Sequence, residues 1–592
     1  MIKRWYTLRN DRPSRPTQLL SVAIAFGSGI LMGLAPAPLN LFPLAWIALA
    51  PLWVLLFTSI EAKTQREKNE SKRPFFLFPF SFFLSFSWGL GYHGLALSWI
   101  TGLHPLTWLG VPWLASVAIV LFCWGFITVW GAVLVALWAW LMHRLESVGV
   151  KEEREDGAAL PSVHALTPRH PLEPLLRSLR RVLLGTALWC GLERLWSLGP
   201  LDWTALAYTQ SPGNLAVLHF GQISGATGVT AAIVAVNGLL AEAWMSGQRL
   251  ASSQRSGVSD QQLAASHSKL KTQNSKLKTV TLVASATILF IAVHLLGAVL
   301  LLQSIAPSNA AALKVGIIQG NVPTRIKLGN EGIRRAMDGY TNGYLALADQ
   351  GVDAVLTPEG ALPFLWNEPN KLRSPLYQAV LEKGVVLWLG TFTAQKDGIA
   401  RSLLTIAPNG ATTSRYDKIK LVPLGEYIPF QAALSGIINL LSPITENGQP
   451  GDFHQQFDTP FGRAIASICY DSAFPEVFRA QAAAGGQFIL TASNLDPYSE
   501  VLMAQHQAQD IMRAIETDRW AVRATNTGYS SIVDPHGRVE WRSQPRAYQT
   551  HAATIFRRQT QTLYVRWGDW LTPCLLVFGA IVVLFQRRWL RS

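Results

Sequence analysis

Charge is scarce in this chain. Only 15% of its 592 residues are Asp, Glu, Lys or Arg, where globular proteins carry ~25%. Disorder, a coiled coil and an ordinary soluble enzyme of several domains all fit poorly. Cysteine is scarcer still, with four residues. No cluster of His, Cys, Asp and Glu has metal-ligand spacing and no phosphate-binding loop occurs, so no cofactor is implied. What the chain has in quantity is apolar side chain: 49% of residues, including 22 Trp, with a mean hydropathy of +0.21. The net charge of +14 suits either nucleic acid or a membrane. Its distribution decides between them.

Eight stretches are apolar enough to cross a bilayer core of ~30 Å as helices. They run over 18–35, 39–59, 75–101, 111–142, 182–198, 222–245, 280–303 and 571–586; the fifth and eighth are short. A cleaved signal peptide is not expected, since further spans follow the first and no small-residue cleavage site does. Basic residues alternate between the connections. Lys3, Arg4, Arg9, Arg12 and Arg15 precede the first span, and the connections at 60–74, 143–181 and 246–279 and the tail are basic. Those at 36–38, 102–110 and 199–221 have neither Lys nor Arg. Because positive residues stay cytoplasmic, both termini are expected inside and residues 304–570 outside.

The outward segment holds 24 basic and 23 acidic side chains, a net of +1, which leaves +13 for the rest. The excess charge is therefore topological, facing anionic lipid, and nucleic-acid binding loses its support. Three regions are expected: a membrane domain at 1–303, an outward catalytic domain at 304–570, and a last span with a basic tail at 571–592. The connections at 143–181 and 246–279 read as flexible linkers. The second carries a tandem Ser-Lys-Leu-Lys-Thr at 268–272 and 275–279, a low-complexity signature.

In 304–570, short apolar runs at Lys314–Ile318, Ala354–Leu356, Val385–Leu389, Leu403–Ile406, Ala464–Ile468, Phe488–Thr491 and Ser530–Val533 predict strands. Helical stretches at 331–349, 373–383, 474–485 and 501–518 lie between them, the pattern of an α/β domain. Pro408-Asn409-Gly410 and Pro535-His536-Gly537 predict hairpin turns.

Cys123, Cys190 and Cys574 fall in expected spans, where a small apolar residue needs no further reason. Cys469 is different. An outward domain normally pairs its cysteines, and this one has no partner there. It follows an apolar strand, where an α/β fold presents a nucleophile, although a buried structural thiol is an equal reading. Glu359 follows the strand Ala354–Leu356 and Lys418 sits in Tyr-Asp-Lys-Ile-Lys-Leu-Val-Pro. Alone, each is a surface charge more often than not. Together a carboxylate, an ammonium and a thiol can run acyl transfer, the carboxylate taking the thiol proton and the cation stabilising negative charge.

Thr-Pro-Glu at 357–359, Tyr-Asp-Lys-x-Lys-Leu-Val-Pro at 416–423 and Ile-Cys-Tyr-Asp at 468–471 resemble the signature of the nitrilase, or carbon–nitrogen hydrolase, superfamily. With the surrounding spans, the chain resembles its membrane-embedded branch, the bacterial apolipoprotein N-acyltransferases. Further matches are Gln319–Pro323, Gly425–Pro429, Arg523–Gly528, Tyr564–Asp569, and Trp203, Tyr208 and Gln210. The resemblance implies a polytopic α-helical membrane protein of about eight spans bearing an α-β-β-α sandwich. It also implies Cys469 as nucleophile, Glu359 as general base and Lys418 as the oxyanion-stabilising cation. Glu426 would be a second active-site carboxylate, with Tyr470 and Asp471 in support, the Tyr470 N–H as a candidate oxyanion donor.

The implied reaction moves an acyl chain from a phospholipid to Cys469, then to the amino group of a diacylated apolipoprotein, by ping-pong kinetics. It implies a monomer in the bacterial inner membrane with its catalytic domain periplasmic. The chain departs from the family pattern at Leu328, at Leu495 to Tyr498, and at Asp471, where Trp, a Ser-Asn-Asp-x-Trp run and Glu are usual.

Two other readings compete. A membrane-tethered amidase would use the same residues but not seven preceding spans. A transporter or receptor would place charges along a path, and only Glu193, Arg194 and Glu242 suit that. His506, Arg513, Glu516 and Arg519 have helical spacing and predict an ion-pair face. His93 and His294 lie in expected spans as functional groups or as neutral packing residues. Trp99, Trp108, Trp113, Trp567 and Trp570 suit an interfacial belt. Phe364-Leu365-Trp366 and 434–441 are expected as apolar loops covering the site.

Overall fold

The computed structural model describes residues 15–69, 80–107, 110–155, 172–256, 263–303, 311–396, 398–423, 425–427 and 448–591. The basic residues from Lys3 to Arg12, Lys72, Arg73 and Arg169, together with Trp108 and segment 434–441, lie outside these residues. The N-terminal part is helical: α1 (Arg15–Gly33), α2 (Ala50–Asn69), α3 (Phe80–Ala96), α4 (Trp113–Glu155), α5 (Glu173–Ser197), α6 (Ala226–Ser256) and α7 (Leu263–Leu301). Among the described residues, five stretches are long and apolar enough to cross a membrane: Pro16–Gly33, Phe42–Glu61, Trp113–Glu146, Ala226–Ala251 and Ser275–Leu301. Other expected spans also form helices, but α3 has only 17 residues and α5 carries Arg177, Arg180, Arg181, Glu193 and Arg194.

The two linkers differ from expectation. Helix α4 continues to Glu155, and α7 runs unbroken through the tandem repeat. Leu, Lys, Gln and Ala are good helix formers, so a polar, low-complexity run next to an apolar helix extends it.

Where lipid is the solvent, helices associate by close packing of small residues. A Cβ on Gly29 of α1 would lie 2.1 Å from the Trp88 carbonyl oxygen of α3, and one on Gly91 would lie 2.4 Å from that of Phe26. Several of the bundle's charged groups have charged or polar partners. Arg181 reaches Glu146 at 3.0 Å and Glu61 at 3.2 Å. Glu242 accepts from Ser178 Oγ at 2.6 Å and Trp53 Nε1 at 3.3 Å. Glu193 accepts from Trp189 Nε1, the Leu206 N–H and Thr230 Oγ1, and Arg194 bonds Ser197. His93 Nδ1 meets Thr204 Oγ1 at 2.8 Å and His294 meets Asn214 at 3.2 Å, hydrogen-bonded packing positions within the bundle.

The chain then forms two six-stranded sheets. The first takes β1 (Ala312–Gln319), β2 (Ala354–Leu356), β3 (Val386–Gln395), β4 (Gly398–Ile406) and β5 (Thr412–Asp417). The second takes β6 (Phe457–Thr459), β7 (Gly462–Ile468), β8 (Ile489–Ser493), β9 (Ala521–Thr525), β10 (Ser531–Val533) and β11 (Val539–Arg542). Strand β12 (Gln549–Phe556) returns to pair antiparallel with β1, giving the orders β12-β1-β2-β3-β4-β5 and β11-β10-β9-β8-β7-β6. Each sheet has a parallel centre, β1-β2-β3 or β7-β8-β9, with antiparallel flanks. Both expected hairpins are present, β4–β5 and β10–β11.

Side chains alternate across the first sheet with period two. Val315, Ile317, Ala354, Leu356, Val386 and Trp388 share a core with the second sheet. Ile318, Val355, Leu387 and Leu389 face outward against helices α8 (Asn330–Ala348) and α9 (Pro375–Lys383). Helices α10 (Pro475–Ala483) and α11 (Glu500–Thr517) cover the second sheet, with Val477, Phe478, Ile511 and Ile515 in its core. The result is an α-β-β-α sandwich. Helix α12 (Leu571–Arg591) follows and packs on α5.

Helix α11 departs most from its sequence reading. From Leu502 to Thr517 only Ala504 is not buried, because one side meets the sheet and the other the bundle. Gln505 bonds the Ala96 carbonyl, Ser211 the Ala508 carbonyl, and Arg513 the Tyr208 hydroxyl. The expected ion-pair face is thus a buried seam. Arg513 pairs with Glu516 at 2.9 Å, His506 bonds Arg523, and Arg519, beyond the helix end, donates to the Gly486, Thr517 and Asp518 carbonyls.

Candidate active site

Glu359, Lys418, Cys469 and Asn494 stand just past the ends of β2, β5, β7 and β8. Strand ends are where an α/β sheet leaves side chains free of ladder pairing and open to a ligand. The Glu359 turn passes under β3 so closely that a Cβ on Gly390 would lie 1.9 Å from the Pro358 carbonyl oxygen. Glu359 Oε1 accepts from Lys418 Nζ at 3.0 Å, and Oε2 from the Asn494 N–H at 3.1 Å. Lys418 also donates to Glu426 Oε1 at 2.7 Å and is fully buried. Glu426 Oε2 accepts the Val422 N–H at 2.9 Å.

Cys469 opens a tight turn, Cys469–Ala473, with φ +50°, in the left-handed region that non-glycine residues seldom occupy. Such strain persists where surrounding contacts over-determine it. Asp471 supplies them, its carboxylate accepting from the Ile468 N–H at 3.0 Å, the Lys420 N–H at 2.7 Å and the Tyr416 hydroxyl at 3.0 Å. The Cys469 turn is thereby tied to the segment carrying Lys418. Cys469 Sγ faces the Asn494 carbonyl oxygen at 3.9 Å. Asn494 is clamped in turn by Asn526, whose Nδ2 donates to Asn494 Oδ1 at 3.0 Å and the Val322 carbonyl at 2.6 Å.

Two cations escaped the sequence reading. Arg401 Nε lies 3.0 Å from Glu426 Oε1, and Lys327 Nζ donates to the Glu359 carbonyl at 3.2 Å. Arg401 was signalled faintly, as the one charge in the apolar strand β4. Lys327 adjoins the departure at Leu328, which is itself exposed.

Burial and these charges set the protonation states. Burial pushes the Cys469 thiol up to about 12, Glu359 adding to the effect and Lys418 opposing it. Burial also raises Glu359, but Lys418 and Arg401 outweigh it and hold the carboxyl below its ordinary value. Burial lowers Lys418, and Glu359 and Glu426 more than reverse that. Burial pushes Asp471 up to about 6, against the three donors that favour its charge. The resting site is an ionised Glu359, a charged Lys418 and a neutral thiol.

The side chain of Tyr470 turns toward the bundle. Its hydroxyl donates to the Pro200 carbonyl at 2.7 Å, and its ring stacks on Trp203 with centroids 6.1 Å apart. Trp203 donates to Gln505 and packs against Trp99, which also meets Tyr498. Trp99 is therefore a wall of this aromatic rim rather than a belt residue, whereas Trp113 and Trp567 are exposed as a belt requires. Phe364 and Trp366 pack on the outer core of the first sheet, Trp366 against Tyr377, so that loop is pinned there instead of covering the site.

The Carbon-nitrogen hydrolase family profile matches residues 314–563, the span of this sandwich. A second profile, the apolipoprotein N-acyltransferase N-terminal domain, matches residues 28–239. An apolipoprotein N-acyltransferase from a Nostoc species is 51% identical, covering 92% of this chain and 95% of that protein. One from a Synechocystis species is 44% identical over 94% and 98%, and one from Thermosynechococcus vestitus 42% over 85% and 86%. The chain belongs to the apolipoprotein N-acyltransferase family.

Proposed function

We propose that this protein transfers an acyl chain from a membrane phospholipid to the α-amino group of the diacylglyceryl-cysteine of an apolipoprotein, through a thioester on Cys469. Glu359 takes the thiol proton as sulfur attacks the donor ester and returns it to the departing lysophospholipid. In the second step the amine attacks the thioester, the C–S bond breaks, and Glu359 passes the amine's proton to the departing Cys469 sulfur. Lys418, held by Glu359 and Glu426, stabilises the negative charge that develops on the acyl oxygen, with the Tyr470 N–H as the second donor. Asp471 holds the nucleophile turn in place. The observation that carries this reading is the position of the Glu359–Lys418–Cys469 cluster at the seam with an apolar bundle, in a chain of this family.

That position has a physical reason. Both substrates keep their acyl chains in lipid, and extracting a chain costs ~0.8 kcal/mol per CH₂. Seating the sandwich on the bundle brings the thiol to the lipid surface. In this reading eight spans, with domain limits at 303/304 and 570/571, place both termini in the cytoplasm. The sandwich then lies on the periplasmic side of the inner membrane, and the enzyme acts as a monomer.

The test is the mass of the peptide containing Cys469 after incubation with phospholipid. A fatty-acyl adduct that disappears when a diacylated lipopeptide is added supports the reading. No adduct while donor is consumed overturns it in favour of hydrolysis.

A further inference from the structure

Arg401 has no step in the acyl-transfer scheme, yet it reaches the centre of the site. It lies beside Lys418 in the first sheet, its carbonyl accepting the Lys418 N–H at 2.9 Å. Both side chains meet the same oxygen, Glu426 Oε1, Lys418 Nζ at 2.7 Å and Arg401 Nε at 3.0 Å. The two cations are thus neighbours across one carboxylate oxygen. They differ in access. The Lys418 side chain is fully buried, whereas that of Arg401 is 24% exposed.

The guanidinium is held on three sides. Glu426 fixes Nε. Phe392, the cross-strand partner of Arg401 on β3, places its ring 5.9 Å from the guanidinium carbon. The Gly448 backbone passes so close that a Cβ there would lie 3.0 Å from Nη1, and the Gly448 N–H is itself tied to the Glu426 carbonyl at 2.9 Å. Among the described residues neither Nη group donates a hydrogen bond, and neither is fully buried. The result is a fixed fork with its outer edge unused, a geometry that takes two oxygens of a phosphate. Charge agrees with this. Three cations, Lys418, Lys327 and Arg401, contact the two acidic residues Glu359 and Glu426. One positive charge is left over, and Arg401 is the member that reaches the surface.

In a glycerophospholipid the three glycerol carbons carry two esters and the phosphate. An ester carbonyl held at Lys418 therefore leaves the phosphate for the cation beside it. The diacylated acceptor has no phosphate on its glyceryl unit, and a guanidinium repels its α-ammonium. We propose, resting on the acyl-transfer reading, that Arg401 binds the phosphate of the phospholipid donor through its two Nη groups and so aligns the donor ester on Lys418 and Cys469.

The experiment uses the full chain carrying Cys469→Ala in detergent micelles, so that binding is read without reaction. The probes are a phosphatidylglycerol and a diacylglycerol with the same two acyl chains. The phospholipid should bind about ten-fold more tightly, as charge-assisted hydrogen bonds to one phosphate allow. Adding Arg401→Gln should weaken phospholipid binding about ten-fold and change diacylglycerol binding little, which also shows that the site is folded. Arg401→Lys, which keeps the charge, should retain part of the preference. A purely structural role, in which Arg401 only steadies Glu426, would weaken both lipids alike. That result overturns the proposal, as does equal binding of the two lipids before substitution or a preference that survives Arg401→Gln. Inorganic phosphate at the concentration of the lipid should not compete, and loss of the preference there would assign the fork to free phosphate instead. Thioester formation on the unsubstituted chain is read separately, so failure of the acyl-transfer reading is told apart from failure of this one.

Discussion

Lys418 Nζ lies closer to Glu426, at 2.7 Å, than to Glu359, at 3.0 Å. The ammonium is thus anchored by one carboxylate and shared with the other. Removing a buried cation leaves both without their main partner, with Arg401 as a partly exposed substitute. Lys418→Met should destabilise the fold by about 3–5 kcal/mol and abolish the thioester. Glu426→Gln, which keeps the shape, should leave the thioester detectable but slow its formation. Denaturant unfolding and the mass of the Cys469 peptide check both, and an unchanged unfolding midpoint in Lys418→Met would contradict the pairing.

Glu359 is held below its ordinary value of 4.5 while the Cys469 thiol stands at about 12. In the proposed reaction the pair at neutral pH is then carboxylate and thiol rather than a preformed thiolate. Thioester formation should therefore be nearly flat between about pH 6 and 9 and fall only as Glu359 protonates. The stability sign is that of a depressed acid: its contribution is complete above the ordinary value and is lost as pH falls through the lowered one. A rate climbing steadily from pH 6 to 9 would point to thiolate as the resting nucleophile.

Gly390 is a second point of control. An added methyl group would meet the Pro358 carbonyl at 1.9 Å, and the backbone under β3 cannot yield without moving Glu359. Gly390→Ala should cost about 1–3 kcal/mol by overpacking and reduce thioester formation more than any loss of folded protein explains. Comparing adduct yield per folded molecule, with folding followed by tryptophan fluorescence, separates the two effects.

Asn526 clamps the loop that carries Asn494. Asn526→Ala orphans the Val322 carbonyl and N–H, at about 1–3 kcal/mol for each buried group left unpaired. It also frees Asn494, whose N–H holds Glu359. Lower stability together with slower acylation is expected, and loss of stability alone would show that the clamp is structural only.

Much of this was legible in the residues. Strands β1–β4, β7, β8 and β10 declare themselves as apolar runs closed by turns, a signal each carries alone. Strand β9 hides because Arg523 interrupts it, and its charge is compensated by Asp510 on α11, a partner only the fold supplies. Strand β12 is a half-exposed edge with little apolar periodicity. Glu359, Lys418 and Cys469 could be found because each sits in a short motif at a strand end. Arg401 and Lys327 act through contacts distant in sequence, to Glu426 and to Glu359, so their surroundings name no role. The polar α11 reads as an ion-pair face because charges at helical spacing suit one another, and the packing of its Gln, His and Arg between two protein surfaces depends on contacts distant in sequence.

That helix carries a consequence for how the molecule can be divided. One apolar core runs without interruption from Trp53 and Val217 in the bundle to Ile468 and Ile515 in the sandwich, and α11 has water on neither flank. A fragment cut to the sandwich alone would therefore present Gln505, Ala508, Met512 and Arg513 to solvent as a raw surface, with a charged pair suited only to burial. The seam that α11 fills is thus part of the folding unit of both halves.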